Sequence, residues 1–169
     1  MLQYNAKKCL YLICPTDCIE SIINRAYKCE NYFYTSLGNS FVFDSKTINE
    51  LYQIIEKHCI TDICFVLSNN NKIIIDALGN QCYSNLNGLN NFYNEITKQK
   101  VRSEITSQNN NRKFLLISYY LNNKICELQL LLNALSNKPY ISGKIYSSCQ
   151  NIFLDIYSNL VCLDKHHLN

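Results

Sequence analysis

The stretch that decides the fold lies near the start of the chain, where residues 9–14 are Cys-Leu-Tyr-Leu-Ile-Cys. A run of apolar residues without polar alternation, with β-branched and aromatic members, is typical of a strand buried on both faces of a parallel sheet. Ile63 to Leu67 (I-C-F-V-L) predicts another buried strand of this kind, the third along the chain. Because such a sheet needs helices on both faces, the two runs together predict an α/β fold.

The residues between these strands follow helical spacing. Asp17, with Glu20 three residues later, predicts the N-cap of a first helix. Phe41-Val42-Phe43 predicts the second strand, and Thr47 with Glu50 predicts the start of a second helix. The buried face of the first helix is predicted to comprise Ile19, Ile22, Ile23, Ala26 and Tyr27.

The second half of the chain is predicted to be mainly helical and to end in two strands. Apolar stripes predict helices over Ile73 to Leu78, around Leu86 to Ile96, and from Phe114 to Leu135. Tyr140 to Tyr146 and Ile152 to Tyr157 predict strands whose short connection favours antiparallel pairing. The predicted fold class is therefore a mainly parallel β-sheet flanked by helices, with an antiparallel edge at the C-terminal end.

Length and composition indicate one domain over residues 1–169, with a loosely packed polar tail from about residue 164. The apolar runs are far shorter than the roughly 18 residues of a membrane span. A net charge of +3, with 17% charged residues, does not indicate a nucleic-acid surface. One loose group of cations is expected to form a solvated face, with an anion-binding surface as the alternative: Lys98, Lys100, Arg102, Arg112 and Lys113.

The ten cysteines are expected to be reduced. Disulfide scaffolds are short and secreted, whereas the apolar run after Lys7-Lys8 stops at Pro15 and is too short for a secretory signal. The expected location is the cytoplasm or another reducing intracellular compartment.

Several junctions between these elements resemble those of β-class carbonic anhydrases, over about Lys8 to Tyr157. The first strand ends at Cys14 in C-P-T-D-C, which is similar to the family's C-x-D-x-R pattern. Residues 68–72, S-N-N-N-K, follow the third strand as the family's G-H-x-x-C motif does, and Phe41 to Asp44 resembles F-V-x-R. Residues 139–146, P-Y-I-S-G-K-I-Y, fit the family's P-x-x-x-G-x-x-Y segment.

The resemblance implies that a zinc site has been lost. Enzymes of this family hold Zn²⁺ with two thiolates and one imidazole, and the metal lowers the pKa of its bound water. Cys14 occupies the first ligand position, but the histidine position holds Asn69 and the second cysteine position holds Lys72. No metal, cofactor or catalytic residue is therefore expected.

The Asp-Arg pair of the family is also replaced. Its Asp position holds Thr16, or Asp17 after a one-residue shift, and its Arg position holds Cys18. Cys14 and Asp17 are thus vestigial candidates for catalytic residues. For Asp17, a general base is the alternative to the N-cap, which its spacing to Glu20 already explains.

Two hypotheses remain for metal and charge at these positions. The Lys72 ammonium could replace the positive charge of the missing ion. A relocated metal site is the alternative to cysteines that simply pack in the core, and its candidate ligands are Cys14, Cys18, His58, Cys59 and Cys64. His166 and His167 are assigned to the polar tail.

The resemblance implies a non-catalytic carbonic-anhydrase-like protein that serves as a binding, regulatory or assembly subunit. The alternative is an enzyme using the same cleft, a divergent carbonate dehydratase with unrecognised metal ligands. A homodimer, paired through the second-strand edge, or another protein is the expected partner. The family's R-N-A-G-N loop is expected to be reduced to Asp44-Ser45-Lys46, and no helical arm is expected before the first strand. A deep apolar cleft with convergent polar groups near Cys14 would favour an enzyme or a ligand-binding protein. A filled pocket together with a large exposed apolar patch would favour an assembly role.

Overall fold

The computed structural model describes residues 7–86, 88–106 and 112–157. Its centre is a five-stranded sheet in the order β2-β1-β3-β4-β5. β1 pairs in parallel with β2 and β3, β3 pairs in parallel with β4, and β4 pairs antiparallel with β5. This arrangement confirms the predicted fold class. The strands are β1 (Lys8–Ile13), β2 (Glu30–Thr35), β3 (Asp62–Ser68), β4 (Tyr140–Ser147) and β5 (Ile152–Asp155).

Helices cover both faces of the sheet. The α-helices are α1 (Glu20–Ala26), α2 (Ser45–His58), α3 (Lys72–Leu78), α4 (Asn90–Thr106) and α5 (Arg112–Leu131). Short 3-10 turns lie at Pro15–Asp17, Leu37–Asn39 and Leu132–Ala134. The three predicted helices of the second half are present, but α4 begins at Asn90, after Leu86 and Leu89, and extends past Ile96 to Thr106. α5 ends at Leu131 and continues as a 3-10 turn.

Alternate residues of β1 supply two separate cores, because successive side chains of a strand point to opposite faces. Leu10 and Leu12 pack with the larger core formed by α2, α3, α4 and α5. Tyr11 and Ile13 pack on the other face of the sheet, with Ile23 of α1 and with Ile19, the N-cap of that helix. β1 and β3 are buried almost throughout, as their unbroken apolar runs predicted.

The predicted position of the second strand is wrong. Phe41 to Phe43 has no strand structure, and β2 is formed instead by residues 30–35, E-N-Y-F-Y-T. β2 is an edge strand with half-buried side chains, so its sequence lacks the apolar signal of β1 and β3. Phe41 is buried beside the sheet, with its ring 5.6 Å from that of Tyr34, so the apolar run at 41–43 packs on the sheet without joining it.

Two predicted helix starts also need correction. The N-cap of α1 is Ile19, which makes no side-chain cap, and Asp17 lies in the preceding 3-10 turn. The N-cap of α2 is Asp44, whose carboxylate accepts a hydrogen bond from the Thr47 N–H at 2.8 Å. Thr47 therefore lies within the first turn of α2 and does not cap it.

Among the described residues, no helix combines the length and the apolar character that a bilayer span requires. The predicted tail from about residue 164 lies outside the described residues. Nine cysteines in the described ranges are free thiols.

Candidate functional site

The candidate site lies at the carboxyl ends of β1, β2 and β3, the edge of an open α/β sheet where ligands usually bind. Its polar residues come from the turns and loops that follow these strands. We call them the strand-end cluster, which comprises Cys14, Thr16, Asp17, Gly38, Asn39, Ser68 and Asn71.

The Cys14 thiol is enclosed by the protein. Its Sγ accepts a hydrogen bond from the Gly38 N–H at 3.0 Å and lies 3.0 Å from Thr16 Oγ1. The residue is fully buried and belongs to the larger core, together with Ile73 and Phe92. The thiol therefore faces packed side chains and backbone.

Gly38 is required by the packing of this region. Its φ is +62°, in the left-handed region that favours glycine. A Cβ added here would lie 2.9 Å from Phe92 Cζ and 3.2 Å from Ile73 Cγ2. The Phe92 ring is itself held edge-on to Tyr120 at 5.3 Å. The space beside Gly38 is thus occupied by a ring that is packed against Tyr120.

Asp17 joins two distant parts of the chain. Its carboxylate accepts hydrogen bonds from the Ser68 N–H and from Asn71 Nδ2, both at 2.8 Å. Asn71 Oδ1 in turn accepts from the Ile74 N–H at 3.0 Å and caps α3. We call the contacts of Asp17 with Ser68 and Asn71 the Asp17 clamp. It connects the turn after β1 to the end of β3 and the start of α3.

Burial raises the pKa of the Asp17 carboxyl above its usual range, because its hydrogen bonds from Ser68 and Asn71 only partly offset the loss of water. The N-cap prediction for Asp17 is therefore wrong. Its oxygens are used by the clamp, three residues before the helix begins.

Asn39 crosses the cluster as a second buried connection. Its Nδ2 donates to the Val66 carbonyl at 3.0 Å, and its own carbonyl accepts from the Tyr120 hydroxyl at 2.9 Å. Its Oδ1 is buried and has no hydrogen-bond partner among the described residues. Asn39 thus links the loop after β2 to both β3 and α5.

Asn69 and Lys72, which the resemblance aligns with the other two zinc ligands, have surroundings that differ from those of Cys14. Asn69 Oδ1 lies 3.4 Å from both the N–H and the hydroxyl of Ser148, in the turn between β4 and β5. Lys72 is the first residue of α3 and is exposed. The exposure of Lys72 contradicts the hypothesis that its ammonium replaces the metal charge. Cys18, at the Arg position, is also exposed.

The alternative ligands do not form a relocated site. His58 packs against Tyr32 with the rings tilted and 4.3 Å between their centroids, and Cys59 is exposed at the C-cap of α2. Both lie just before the amino end of β3, whereas Cys14 follows the carboxyl end of β1, so they are at opposite ends of the strands. Cys64 is buried within β3, and burial raises the pKa of its thiol to about 11, which disfavours the thiolate that binds metals.

The residues present do not fit a Zn²⁺ ion. Across the described ranges, no group of three or more His, Cys, Asp or Glu residues could hold a metal. One buried thiol, a carboxamide and an exposed ammonium do not supply the charged soft ligands that zinc requires. His166 and His167 lie outside the described residues.

The sequence did not point to Gly38 and Asn39. The loop after β2 is Ser36-Leu37-Gly38-Asn39, and its Gly-Asn pair stands where the family's R-N-A-G-N loop ends. The prediction that this loop is reduced to Asp44-Ser45-Lys46 is therefore wrong, because those residues begin α2. The Gly-Asn pair was the available signal, and the misplaced second strand concealed it.

We compare four cavities that are bounded by described residues with the position of Cys14. Two of them, of about 480 and 500 Å³, lie near the amino ends of β3 and β4. A third, of about 350 Å³, is lined by Ser36, Leu37, Val42 and Leu89 beside the end of β2. The smallest, of about 130 Å³, lies between Val42 and α5. None of the four has Cys14 in its lining.

Comparison with known proteins places this fold. No model of a known protein family matches the sequence, and no curated protein is significantly similar to it. Solved structures do match. The β-carbonic anhydrase CafD of Aspergillus fumigatus superposes with a TM-score of 0.71 at 16% identity, over 92% of both chains.

Two further β-carbonic anhydrases are similar in structure. One is described as tetrameric and comes from Sordaria macrospora, with a TM-score of 0.66 at 10% identity, over 89% of this chain and 81% of that one. The other comes from Coccomyxa and was solved with acetazolamide, with a TM-score of 0.67 at 10% identity, over 89% and 72% of the two chains. The chain has a β-carbonic-anhydrase-like fold.

Proposed function

We propose that this protein is a non-catalytic carbonic-anhydrase-like protein, that its zinc site is lost, and that it acts as a binding, regulatory or assembly subunit. The observation that carries the proposal is the environment of Cys14. Its thiol accepts the Gly38 N–H and is packed in the core with Phe92, so it is not available to a metal.

The Asp17 clamp supports the same proposal. A metal held by residues after β1 and β3 would also tie those two strand ends together. In this protein the connection is made by hydrogen bonds that the Asp17 carboxylate accepts from Ser68 and Asn71, and these need no ion. The proposed role therefore uses the fold as a stable scaffold, with its surface and not this site as the functional part.

The proposed partner is a second copy of the chain, paired through the edge beside β2. Val42 is exposed and lines the cavity at the end of β2, and the outer side of β2 has no neighbouring strand in the described sheet. Exposed strand edges and apolar side chains favour association. The described cysteines are free, which fits the reducing compartment that forms part of this proposal.

The first test measures zinc per chain and carbon dioxide hydration on the same protein, purified without tags or chelators. We expect substoichiometric zinc and no hydration above the buffer rate. Cys14→Ser is the matched control and should change neither result. Stoichiometric zinc that is lost in Cys14→Ser, together with hydration activity, would overturn the proposal and favour a divergent carbonate dehydratase.

The second test addresses the partner. Light scattering should give the mass of a dimer for the unaltered chain and of a monomer for Val42→Asp. Leu154→Asp, which places the same charge on the opposite edge strand β5, is the matched control and should leave the mass unchanged. A monomer in all three proteins would contradict self-association.

A further inference from the structure

A small cavity of about 130 Å³ lies between the segment at residues 40–42 and the helices α4 and α5. The buried rings of Phe41, Phe92 and Tyr120 form part of its walls. It adjoins the cavity of about 350 Å³ beside the end of β2, because Phe41 and Gly88 are among the residues that line both. Neither cavity is lined by a residue of the strand-end cluster. The two cavities are therefore separate from that cluster, and together they have space for a small molecule.

The ammonium group of Lys124, which lines the small cavity, is already held by the protein. Its Nζ donates to the Phe41 carbonyl at 3.3 Å and to Glu127 Oε2 at 3.2 Å, and it lies 6.0 Å from the centre of the Phe43 ring. The Lys124 side chain is only 14% exposed. A carbonyl, a carboxylate and an aromatic face each stabilise an ammonium ion. The charge of Lys124 is therefore already paired with that of Glu127.

Glu95, on α4, lines the same cavity and has no cationic partner among the described residues. Its Oε1 accepts a hydrogen bond from the neutral amide of Asn123 at 3.2 Å, which leaves the charge of Glu95 uncompensated. Burial raises the pKa of the Tyr120 hydroxyl, and the negative charge of Glu95 adds to this rise, so the field of the carboxylate reaches the cavity wall. Because Lys124 and Glu127 form a pair, the charged lining has one net negative charge and favours a cation.

We propose that these adjoining cavities bind a small primary alkylamine in its protonated form. Its ammonium group donates to the Glu95 carboxylate, and its alkyl chain extends along Phe41 toward Leu37 and Leu89. The apolar walls favour an alkyl chain over a hydrated metal ion, because burying apolar surface is favourable and stripping water from an ion is costly. Such binding requires neither the loss of zinc nor a second copy of the chain, and so goes beyond the proposed function.

Isothermal titration calorimetry of the full chain with butylammonium chloride, at constant ionic strength, tests the site. We expect saturable binding with a Kd on the order of 1 mM, as is reasonable for so small a ligand. Glu95→Gln keeps the shape of the side chain but removes its charge, and it should raise Kd by about tenfold or more. Glu20→Gln removes a carboxylate from α1, on the other face of the sheet, and as the matched control it should leave Kd unchanged.

Two further probes separate the charge of the ligand from its chain. Butanol has the chain without the charge, and sodium chloride supplies a cation without the chain, so both should bind at least about tenfold more weakly. Sodium that binds as tightly as butylammonium, or a Kd that is equal in Glu95→Gln and the unaltered chain, would overturn the proposal. Binding of butyrate in place of butylammonium would also overturn it, because Lys124 would then select the ligand.

Chemical-shift mapping by NMR locates the ligand without any substitution. On addition of butylammonium, the largest amide shifts should fall at residues 40–42, 88–95 and 120–127, with little change in α1. Shifts concentrated elsewhere would contradict the site. These measurements are independent of zinc content and of the mass of the chain, so their failure would leave the proposed function untouched.

Discussion

Asp17 and Asp76 both hold a connecting segment in place, but over very different distances along the chain. Asp17 accepts from residues 51 and 54 positions away, across the ends of β1 and β3. Asp76 accepts from the N–H groups of Cys82 and Tyr83, six and seven positions away, and from the Tyr93 hydroxyl. The first arrangement connects the strand ends of the strand-end cluster, whereas the second holds the loop at residues 79–86 and the first turn of α4 against α3. The Asp17 clamp is thus a structural joint between the turn after β1, the end of β3 and the start of α3.

Gly38→Ala should give the largest effect, because it affects the strand-end cluster directly. An alanine would be strained in the left-handed backbone conformation of this position, and its Cβ would push against Phe92. Together these effects should cost about 3 kcal/mol. Gly88→Ala is the matched control. Gly88 also has a positive φ, but no atom lies within 4 Å of its added Cβ, so only the backbone cost of about 1 kcal/mol remains. Urea unfolding followed by circular dichroism measures both, and equal losses would contradict the packing argument.

Asp17→Ala should destabilise the whole domain by about 2 kcal/mol, since it leaves the Ser68 N–H and Asn71 Nδ2 without their acceptor. Asp155→Ala removes a carboxylate that pairs with Lys144 at the surface, and it should cost less than about 1 kcal/mol. If the two substitutions shift the urea midpoint equally, the clamp has no special structural role.

Asp76→Ala should act locally. We expect faster hydrogen exchange at residues 82 and 83, which lose their acceptor, with little change in exchange in β1 and β3. Hydrogen exchange with mass spectrometry separates the two regions. A comparable rise in β1 and β3 would show that Asp76, like Asp17, supports the global fold.

Acid should affect the two aspartates in opposite directions. Burial raises the pKa of Asp17, so its contribution to stability falls as pH rises through that pKa and grows on acidification. For Asp76, burial acts to raise the pKa, but the hydrogen bonds from Tyr93, Tyr83 and Cys82 outweigh it and hold the pKa low. Its contribution is therefore present above the ordinary aspartate pKa and is lost as pH falls through its lowered value.

The measurement is the stability difference between the unaltered chain and Asp17→Asn or Asp76→Asn, from neutrality down to about pH 3. The difference should grow with acid for Asp17→Asn and shrink for Asp76→Asn. Parallel trends would remove this contrast between the two carboxylates.

Lys72→Ala should have the smallest effect, within about 0.5 kcal/mol, because the side chain is exposed. A loss as large as that of Asp17→Ala would revive a role for the ammonium in the strand-end cluster.

The sequence predicted the buried parts of the fold well. β1, β3 and the buried side of α5 carry apolar patterns that follow directly from burial, and the short connection at residues 148–151 indicated the antiparallel pair β4 and β5. β2 was missed because an edge strand is buried on fewer sides, and its tyrosines are compatible with several structures. Phe41 to Phe43 has the stronger strand pattern but packs as an irregular segment.

The candidate site was predictable in its residues but not in its contacts. The sequence showed that Asn69 and Lys72 differ from the ligand pattern of β-class carbonic anhydrases, and the loss of a zinc site remains a prediction. The Asp17 clamp was not predictable, because its members are far apart in sequence and the spacing of Asp17 to Glu20 favoured a local cap. Nothing in the pattern indicated that Phe92, from α4, would occupy the space beside Gly38.

The order of the strands has a consequence for how the chain folds. β1, β2 and β3 lie within the first 68 residues, whereas β4 joins β3 only after residues 69–139 have been made. Closing so long a loop is entropically costly and slows folding. Until β4 has been synthesised and pairs with β3, the backbone groups on that edge of the apolar strand β3 have no partner strand and can pair with other chains. During synthesis, this edge is where we expect aggregation to begin and chaperones to bind.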